Sequence, residues 1–346
     1  MNLDFLKLDL RKLLRRPRAG TLLALDLRPS QASLCQVDRQ GRPTFLKRLP
    51  LSPDQQHSRE ALAELLSRQV REHNLAGSPC VSVLHRPDYQ LLLVEAPQVP
   101  EAEILSALRW KIADQIDFPV NEAILDYFEL PPGQTADTRQ IYVVAARESV
   151  VQARVDLLRG IGLDPAYIDI AEKAQRNLAA RLPEDEQGLA LLEIAEDESL
   201  LTITRQGQLI FSRAIAFGTG NLVDGLVESA GFAPEMARAQ IGTEGLGEPE
   251  ILTDILPAAQ QILRQQAERL ALELQRSLDY YDSRFRRGAV RQTYVLFDSL
   301  HVPHLAPYLG VLTGAACRDF PAIDGRDASH RMGLLSYGAA LRELLS

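Results

Sequence analysis

The sequence predicts an α/β protein of two lobes that share one plan. Each half of the chain opens on three apolar, strand-like segments joined by short turns, and helices follow in both halves. The turn between the second and third segments contains Arg-Gln-Gly both times, in "VDRQGRPTF" near the start and in "ITRQGQLIF" near the middle. A long amphipathic helix is predicted in the second half. The repeated meander indicates two related folding units.

The first half divides into a meander and a smaller α/β unit. Its three strand-like segments lie between residues 21 and 50 and are joined by "RPSQ" and "RQGR". Ser58 is placed to cap the next helix, and residues 80–85 form a further apolar strand. From about 88 to 170, shorter strands and helices alternate, which predicts a small subdomain inside the first lobe.

A polar, turn-rich connector at 183–188 separates the halves. We therefore expect a first lobe at 21–182 and a second at 189–346, whose C-terminal helix returns to the first lobe. The long helix is predicted at 258–286. Its apolar residues recur at helical spacing at Leu263, Ala267, Leu270, Leu274, Leu278, Tyr281 and Phe285.

Residues 1–20 have the pattern of a basic amphipathic helix. Residues 1–18 carry a net charge of +4, whereas the rest of the chain carries −12. Leucines follow one helical stripe and cations spread over the other faces, as in helices that lie on anionic membrane surfaces. A helix packed on its own domain, or a frayed terminus, is the alternative. The cations of the predicted membrane-surface helix are Lys7, Arg11, Lys12, Arg15 and Arg16.

Composition excludes several classes of protein. The net charge of −8 does not favour general nucleic-acid binding, and three distant cysteines in apolar surroundings indicate buried thiols in a reducing compartment. No apolar run is long enough to span a membrane, and no secretory signal is recognisable, so we expect a cytoplasmic protein. His301 and His304 have no third ligand nearby and indicate a surface pair, so no metal site is predicted. Neither phosphate-binding glycine motif, the P-loop or the Rossmann fingerprint, is present.

Three stretches of the sequence resemble parts of one known fold. "LLALDLRPSQASLCQVD" resembles the opening strand–turn–strand of actin-like ATPases, "VVAARESVVQARVDLLRGIGLDPAYIDIAEKAQRNL" resembles the end of their first lobe, and "ELQRSLDYY" resembles the signature on their long helix. Over residues 20–346 the chain resembles the PilM branch of this fold, the actin-like proteins of type IV pilus assembly. The resemblance is strongest to the MshI proteins of mannose-sensitive haemagglutinin (MSHA) pilus biogenesis.

The resemblance implies a cytoplasmic protein, peripheral at the inner membrane, that binds a partner peptide. The implied partner is the cytoplasmic N-terminal tail of a single-pass inner-membrane pilus assembly protein of the PilN type. In this branch a relocated small subdomain helps form the peptide groove, and residues 88–170 fit that subdomain. Trp110 shares its predicted helix with Leu108, Ile112 and Ile116, which favours a place in the core, with a partner-facing role as the alternative. The candidate partner-binding residues are Leu93, Arg109, Trp110 and Phe118.

The same resemblance assigns a nucleotide cleft whose glycines are missing. Asp26 matches the acid of the first phosphate loop, but Arg28 follows where glycine is usual. Glu193 stands for the second acid, and the small, hydroxyl-rich loop after it is replaced by carboxylates that would repel phosphate. In the loop after the strand that follows the long helix, side chains also replace the glycines that let the backbone of family members lie against adenosine. The residues of this degenerate cleft are Asp26, Arg28, Ser30, Glu193, Glu196, Asp197, Glu198, Arg276, Asp298 and Ser299.

The sequence therefore predicts a nucleotide-free scaffold of pilus assembly, not an enzyme, with no cofactor. The alternative is an active ATP-binding protein of the same fold, with ATP and Mg²⁺ as cofactors and Asp26, Glu193 and Arg276 in an unusual pocket. A sugar- or acetate-kinase-like enzyme is a weaker alternative, because the phosphate loops are lost.

Overall fold

The structure is a computed structural model that describes residues 22–131, 139–247, 258–323 and 333–345. The strands are β1 (Leu23–Leu27), β2 (Gln31–Val37), β3 (Pro43–Pro50), β4 (Pro79–Leu84), β5 (Tyr89–Glu95), β6 (Ala123–Glu129), β7 (Gln140–Arg147), β8 (Asp164–Ile170), β9 (Leu189–Ile194), β10 (Ser199–Arg205), β11 (Gln208–Ile215), β12 (Gln292–Phe297) and β13 (Ala316–Asp319). The α-helices are α1 (Pro53–His57), α2 (Arg59–Glu72), α3 (Ile104–Lys111), α4 (Glu148–Gly160), α5 (Ala171–Ala179), α6 (Thr219–Ala230), α7 (Pro234–Glu244), α8 (Ala258–Phe285), α9 (Leu305–Thr313), α10 (Leu335–Ala340) and α11 (Arg342–Leu345).

The described residues form two compact units. Unit 1 takes those within Met1–Glu129, Gln140–Ala174 and Leu335–Ser346, and unit 2 takes those within Leu130–Arg139 and Gln175–Leu334. The change of unit at Ala174 and Gln175 lies inside α5 and precedes the connector at 183–188. The predicted lobe boundaries themselves stay a prediction.

Unit 1 is built around a five-stranded sheet in the order β3-β2-β1-β4-β8. The three meander strands are antiparallel, and β4 and β8 continue the sheet in parallel. β1 reads Leu-Ala-Leu-Asp-Leu and is almost wholly buried, as expected for a central strand covered on both faces. Ser58 caps α2 as predicted, because its hydroxyl accepts a hydrogen bond from the Ala61 N–H at 3.1 Å.

A three-stranded antiparallel sheet, β5-β7-β6, forms the small subdomain of unit 1. Alternate residues of β7 serve two apolar clusters, because successive strand residues point to opposite faces. Ile141 and Val143 pack with Ile104 and Leu108 of α3 on one face, while Ala146 packs with α4 on the other. α3 is shorter than predicted: a 3₁₀ turn precedes it and turns follow Lys111.

Unit 2 repeats the plan of the large sheet in the order β11-β10-β9-β12-β13. Its β10–β11 hairpin turns on Gln206 (φ 51°) and Gly207 (φ 67°). Two consecutive positive φ angles are what a tight two-residue hairpin requires, which accounts for the glycine of this second Arg-Gln-Gly turn. The edge strand β13 was not predicted.

The long helix α8 ends one residue earlier than predicted. Leu263, Ala267, Leu270, Leu274 and Tyr281 of the predicted stripe are buried, and the other two are half-buried. The 3.6-residue period therefore identified the buried face.

The helix α10 completes the core of unit 1. All six of its residues are buried, and it packs on β1, β2 and β4. The Tyr337 hydroxyl donates a hydrogen bond to the Gly41 carbonyl oxygen at 2.9 Å, which ties this helix to the first Arg-Gln-Gly turn.

The three cysteines are buried, as predicted, and burial raises the pKa of the Cys35 and Cys80 thiols far above the ordinary value. Among the described residues, no helix is both long and apolar enough to cross a membrane.

Candidate functional site

The first predicted nucleotide acid, Asp26, is buried at the end of the central strand of unit 1. Its side chain is 1% exposed. His85 Nε2 lies 2.5 Å from Asp26 Oδ1, and Arg28 Nε lies 3.6 Å from the same oxygen. β1 and β4 are parallel neighbours, so their ends bring residues 26 and 85 together. Two side chains of its own unit thus hold this carboxylate.

The charge state of Asp26 follows from these neighbours. Burial by itself raises the pKa of a carboxyl, but the charges of His85 and Arg28, with the His85 hydrogen bond and Arg154, outweigh it. The pKa of Asp26 is lowered from 3.8 to about 2. The turn that follows is closed by the Arg28 N–H, which donates to the Gln31 carbonyl at 2.8 Å, with Ser30 half-buried between them.

The second predicted acid, Glu193, occupies the equivalent end of β9 in unit 2. It is 5% exposed. Gln175 Nε2 donates to Glu193 Oε2 at 3.1 Å, and the Thr202 hydroxyl donates to Gln175 Oε1 at 2.7 Å. The Gln175 amide that contacts Glu193 is neutral, whereas Asp26 lies beside His85 and Arg28.

The acidic turn after β9 is packed against the start of α6. The Thr219 N–H donates to the Ala195 carbonyl and the Gly220 N–H donates to the Glu196 carbonyl, both at 2.8 Å. N–H groups at a helix N-terminus are those that commonly bind phosphate. Here two of them are used by the turn itself.

Glycine permits this close packing. A Cβ placed on Gly218 would lie 2.2 Å from the Glu196 carbonyl oxygen, and one on Gly220 would lie 2.9 Å from it. The Glu196 side chain forms an ion pair with Arg238. Of the other two carboxylates in the turn, Asp197 is exposed and Glu198 is half-buried.

The remaining residues predicted at the nucleotide cleft are Asp298, Ser299 and Arg276, and only some of them lie near the second acid. Asp298 is buried beside β9, where its N–H donates to the Ile194 carbonyl at 3.1 Å. The Ser299 hydroxyl is buried without a hydrogen-bond partner among the described residues. Arg276 lies on α8 and pairs with Glu273 at 2.6 Å, one turn earlier on the same helix.

Three of the four predicted partner-binding residues are buried or half-buried in the small subdomain. Leu93 is half-buried on the edge strand β5. Arg109 donates to the carbonyl oxygens of Val120 and Ala123. Phe118 is 8% exposed, and the Arg147 guanidinium carbon lies over its ring, 4.4 Å from the ring centre of Phe118.

The expectation that Trp110 belongs to the core is wrong. Its side chain is 85% exposed, whereas Leu108 and Ile112 are fully buried. A residue two positions from Leu108 is rotated by about 200° around the helix, which places it on the opposite face. The grouping of Trp110 with Leu108 and Ile112 overlooked this rotation.

Lys7, Arg11, Lys12, Arg15 and Arg16 lie outside the described residues. His301 Nε2 is 3.2 Å from Asp319 Oδ2, and the described residues contain no cluster of three or more side chains placed to hold a metal ion.

Sequence reasoning missed the residues that hold the two acids. His85 is 59 positions from Asp26, and its only signal is a histidine at the end of the apolar strand "CVSVLH". Gly218 and Gly220 flank Thr219 at the start of a helix predicted at about 218–230, and nothing in the sequence indicates that they pack on another turn. Only the fold shows that they pack on Glu196.

The comparison with protein families decides the affiliation of the chain. The model of the family described as type IV pilus assembly protein PilM matches residues 52–301. The chain belongs to the PilM family. This match includes β4, the whole small subdomain, the acidic turn and α8.

Solved structures agree with the fold of a PilM family member. A chain described as the PilM–PilN type IV pilus biogenesis complex superposes with a TM-score of 0.77 at 22% identity, covering 95% of this chain and 99% of that one. The ethanolamine utilization protein EutJ from Carboxydothermus hydrogenoformans gives 0.55 at 13% identity, covering 96% and 93%. MreB5 of Spiroplasma citri bound to AMPPNP gives 0.52 at 11%, covering 94% and 96%. This PilM family member therefore has the actin-like ATPase fold, as predicted.

Proposed function

We propose that this PilM family member is a scaffold of type IV pilus assembly, of the MSHA type, that binds a partner peptide and does not use a nucleotide. The proposed partner segment is the cytoplasmic N-terminal tail of a PilN-like inner-membrane protein. The protein would lie in the cytoplasm at the inner face of that membrane. Family membership supports the pilus context, and a solved relative is itself described as a PilM–PilN complex.

The main support for the proposal that no nucleotide binds is the packing of the acidic turn, Glu196 to Glu198, on the start of α6. The helix N–H groups of Thr219 and Gly220 already donate to carbonyls of this turn. A phosphate would have to displace both hydrogen bonds and approach three carboxylates, Glu196 to Glu198. The pairing of Asp26 with His85 and Arg28 supports the same conclusion, because a carboxylate that orients Mg²⁺ or its water must be available to them.

Isothermal titration with ATP and Mg²⁺ tests this part. We expect no saturable heat at millimolar ligand. The rival function, an ATP-binding PilM-like protein whose nucleotide state regulates partner binding, requires saturable binding. Micromolar affinity that is lost on Asp26→Asn substitution would establish the rival and overturn the nucleotide-free proposal.

The small subdomain is the proposed place of partner binding. A disordered tail loses conformational entropy when it binds, so a few well-placed anchors must supply the affinity. Trp110 is suited to this role because it is exposed and tryptophan is common among residues that dominate interfaces.

Photocrosslinking from the full-length chain tests the location. A photoreactive amino acid at position 110 is expected to capture the tail, and one at the Glu196 position is the matched control in unit 2. Capture from the Glu196 position alone would contradict the assignment to the small subdomain.

Membrane recruitment through residues 1–20 is a further part of the proposal. Their net positive charge and leucine stripe support binding to anionic lipid. A chain that begins at Thr21 is expected to sediment less with anionic vesicles than the full chain, and salt is expected to weaken the full chain's binding. Equal, salt-insensitive sedimentation of both chains would refute this role.

A further inference from the structure

The outward face of α3 has no covering element among the described residues. Ile104 and Leu108 are buried on its inner face, whereas Trp110 is 85% exposed and Leu105 is 41% exposed. Trp110 is the most exposed large apolar side chain in the described part of the molecule. Tryptophan is enriched among the residues that contribute most to binding at protein interfaces, and here the same helix carries a second exposed apolar side chain, Leu105.

The charge around α3 indicates what would cover it. Residues 88–129 contain nine acidic residues and two basic ones. Both basic side chains are used by the main chain of the subdomain: Arg109 donates to two carbonyl oxygens, and Lys111 Nζ donates to the Glu95 carbonyl at 2.8 Å. Neither side chain forms an ion pair with a described carboxylate, and acidic residues stay in excess around α3.

Most of the carboxylates beside this face carry no counter-charge. Glu122 and Asp88 lie 3.5 Å from Arg147 and Arg154 respectively, at the base of the subdomain. Other carboxylates near α3 are exposed and have no ion pair with any described residue. These are Glu95, Glu101, Glu103, Asp114 and Asp117.

Two of these carboxylates are close to Trp110 along the chain. Glu103 precedes Trp110 by seven residues, which is two helical turns on the same face, and Asp114 follows it by four residues in the turn after α3. An aromatic face between carboxylates is a good receptor for arginine or lysine, because the cation can stack on the ring and pair with a carboxylate.

We propose that this α3 face binds a lysine- or arginine-bearing segment of the inner-membrane partner, with Trp110 as its anchor and Glu103 and Asp114 as its charge partners. This inference rests on the proposed function and adds the chemistry of the tail that is bound. The cytoplasmic segments that flank a membrane span are enriched in lysine and arginine, so a tail of this kind carries the complementary charge. An acidic or purely apolar tail would not match this surface.

The single tryptophan of the chain makes the proposal directly measurable. The full chain is titrated at low salt with a short synthetic peptide of lysine, arginine and leucine, and the emission of Trp110 is followed. We expect a saturable blue shift that weakens as salt is added, because the ring leaves water and the attraction is screened. A matched peptide with glutamate in place of its cations is expected to give no shift.

Charge-reversal variants separate this surface from the overall negative charge. Glu103→Lys with Asp114→Lys is expected to weaken peptide binding at least tenfold. The control, Glu64→Lys with Glu228→Lys, changes the net charge equally at exposed positions on other helices and is expected to leave binding within twofold. If the reversed protein does not fold, the neutral pair Glu103→Gln and Asp114→Asn is expected to give an intermediate loss.

Three results would overturn the inference. Equal weakening by both charge-reversal pairs would show non-specific attraction. A change in Trp110 emission on removal of residues 1–20 would show that the chain's own basic segment occupies this face. Undiminished binding of the partner's tail to the reversed protein would refute the basic recognition and leave the proposed scaffold intact. Failure of the tail to bind while the peptide still gives the shift would instead count against the proposed partner.

Discussion

The turn after β1 in unit 1 and the turn after β9 in unit 2 occupy the same place in two sheets of the same order, yet they are held differently. In unit 1 a buried carboxylate, Asp26, is fixed by the charged or chargeable side chains of His85 and Arg28. In unit 2 the neutral amide of Gln175 donates to Glu193, and the turn after β9 is fixed by main-chain hydrogen bonds to α6 in a space that glycine at position 218 leaves open.

This difference indicates which kind of substitution should destabilise each half of the duplicated fold. The first turn is sensitive to charge and pH, because its main interactions are electrostatic. The second is sensitive to side-chain volume, because carbonyl oxygens occupy the space that any Cβ at Gly218 would need. The following predictions test this contrast.

Asp26→Asn is expected to have the largest effect on stability. It removes the carboxylate beside Arg28 and His85 in a buried site, and loss of one partner of a buried ion pair costs about 3–5 kcal/mol. Urea denaturation measures the free energy of unfolding. The control Asp156→Asn, on an exposed position of α4, is expected to change it by no more than about 0.5 kcal/mol. A loss below about 1 kcal/mol for Asp26→Asn would contradict the electrostatic account of the first turn.

Gly218→Ala is expected to cost about 2–3 kcal/mol, because the new methyl group overlaps the Glu196 carbonyl and the turn must move. Gly160→Ala is the matched control, since a Cβ there meets no atom within 4 Å. The control is expected to be neutral or slightly stabilising. If both variants unfold at the same urea concentration, the second turn is not held by close main-chain packing.

The pH dependence of stability is expected to carry the signature of Asp26. Its pKa is about 2 in the folded protein and 3.8 ordinarily, so its contribution is present above pH 3.8 and is lost as the pH falls towards 2. The full contribution is about 2 kcal/mol, of which about 1 kcal/mol is lost between pH 5 and pH 3. Urea titrations over this range should therefore show a shallower pH dependence for Asp26→Asn than for the parent protein. Parallel curves would show that Asp26 does not have the lowered pKa.

Glu196→Ala is expected to have the smallest effect, about 0.5 kcal/mol. Its ion pair with Arg238 is partly exposed, and such pairs contribute little because solvent screens them. The main chain of the turn stays in place without this side chain. A loss comparable to that of Asp26→Asn would erase the contrast between the two turns.

The periodic elements could be read from the sequence because their signal is local. The meanders, the capped helix after Ser58 and the stripe of α8 each depend on neighbours within a few residues. The actin-like fold followed from their order. β13 has only four residues with one buried, which is too short for a periodic signal.

The candidate site was only partly predictable, because its contacts are remote in sequence. The positions of Asp26 and of the Glu196 turn followed from the resemblance, but their partners His85, Gln175 and Gly218 come from other elements. Trp110 is a different case. Its exposure was available in the spacing from Leu108, since helix positions two apart face opposite sides.

The burial of α10 has a consequence for synthesis on the ribosome. This helix belongs to the core of unit 1, yet its residues follow those of unit 2 in the chain. The sheet formed by β1, β2 and β4 must therefore wait, with one apolar face uncovered, until the 250 residues between Leu84 and Leu335 have been made. Unit 2 can close its own core first. During synthesis, unit 1 is therefore expected to bind chaperones that shield apolar surface. A chain truncated before Leu335 would lack the helix that covers this sheet, and the apolar face would stay exposed.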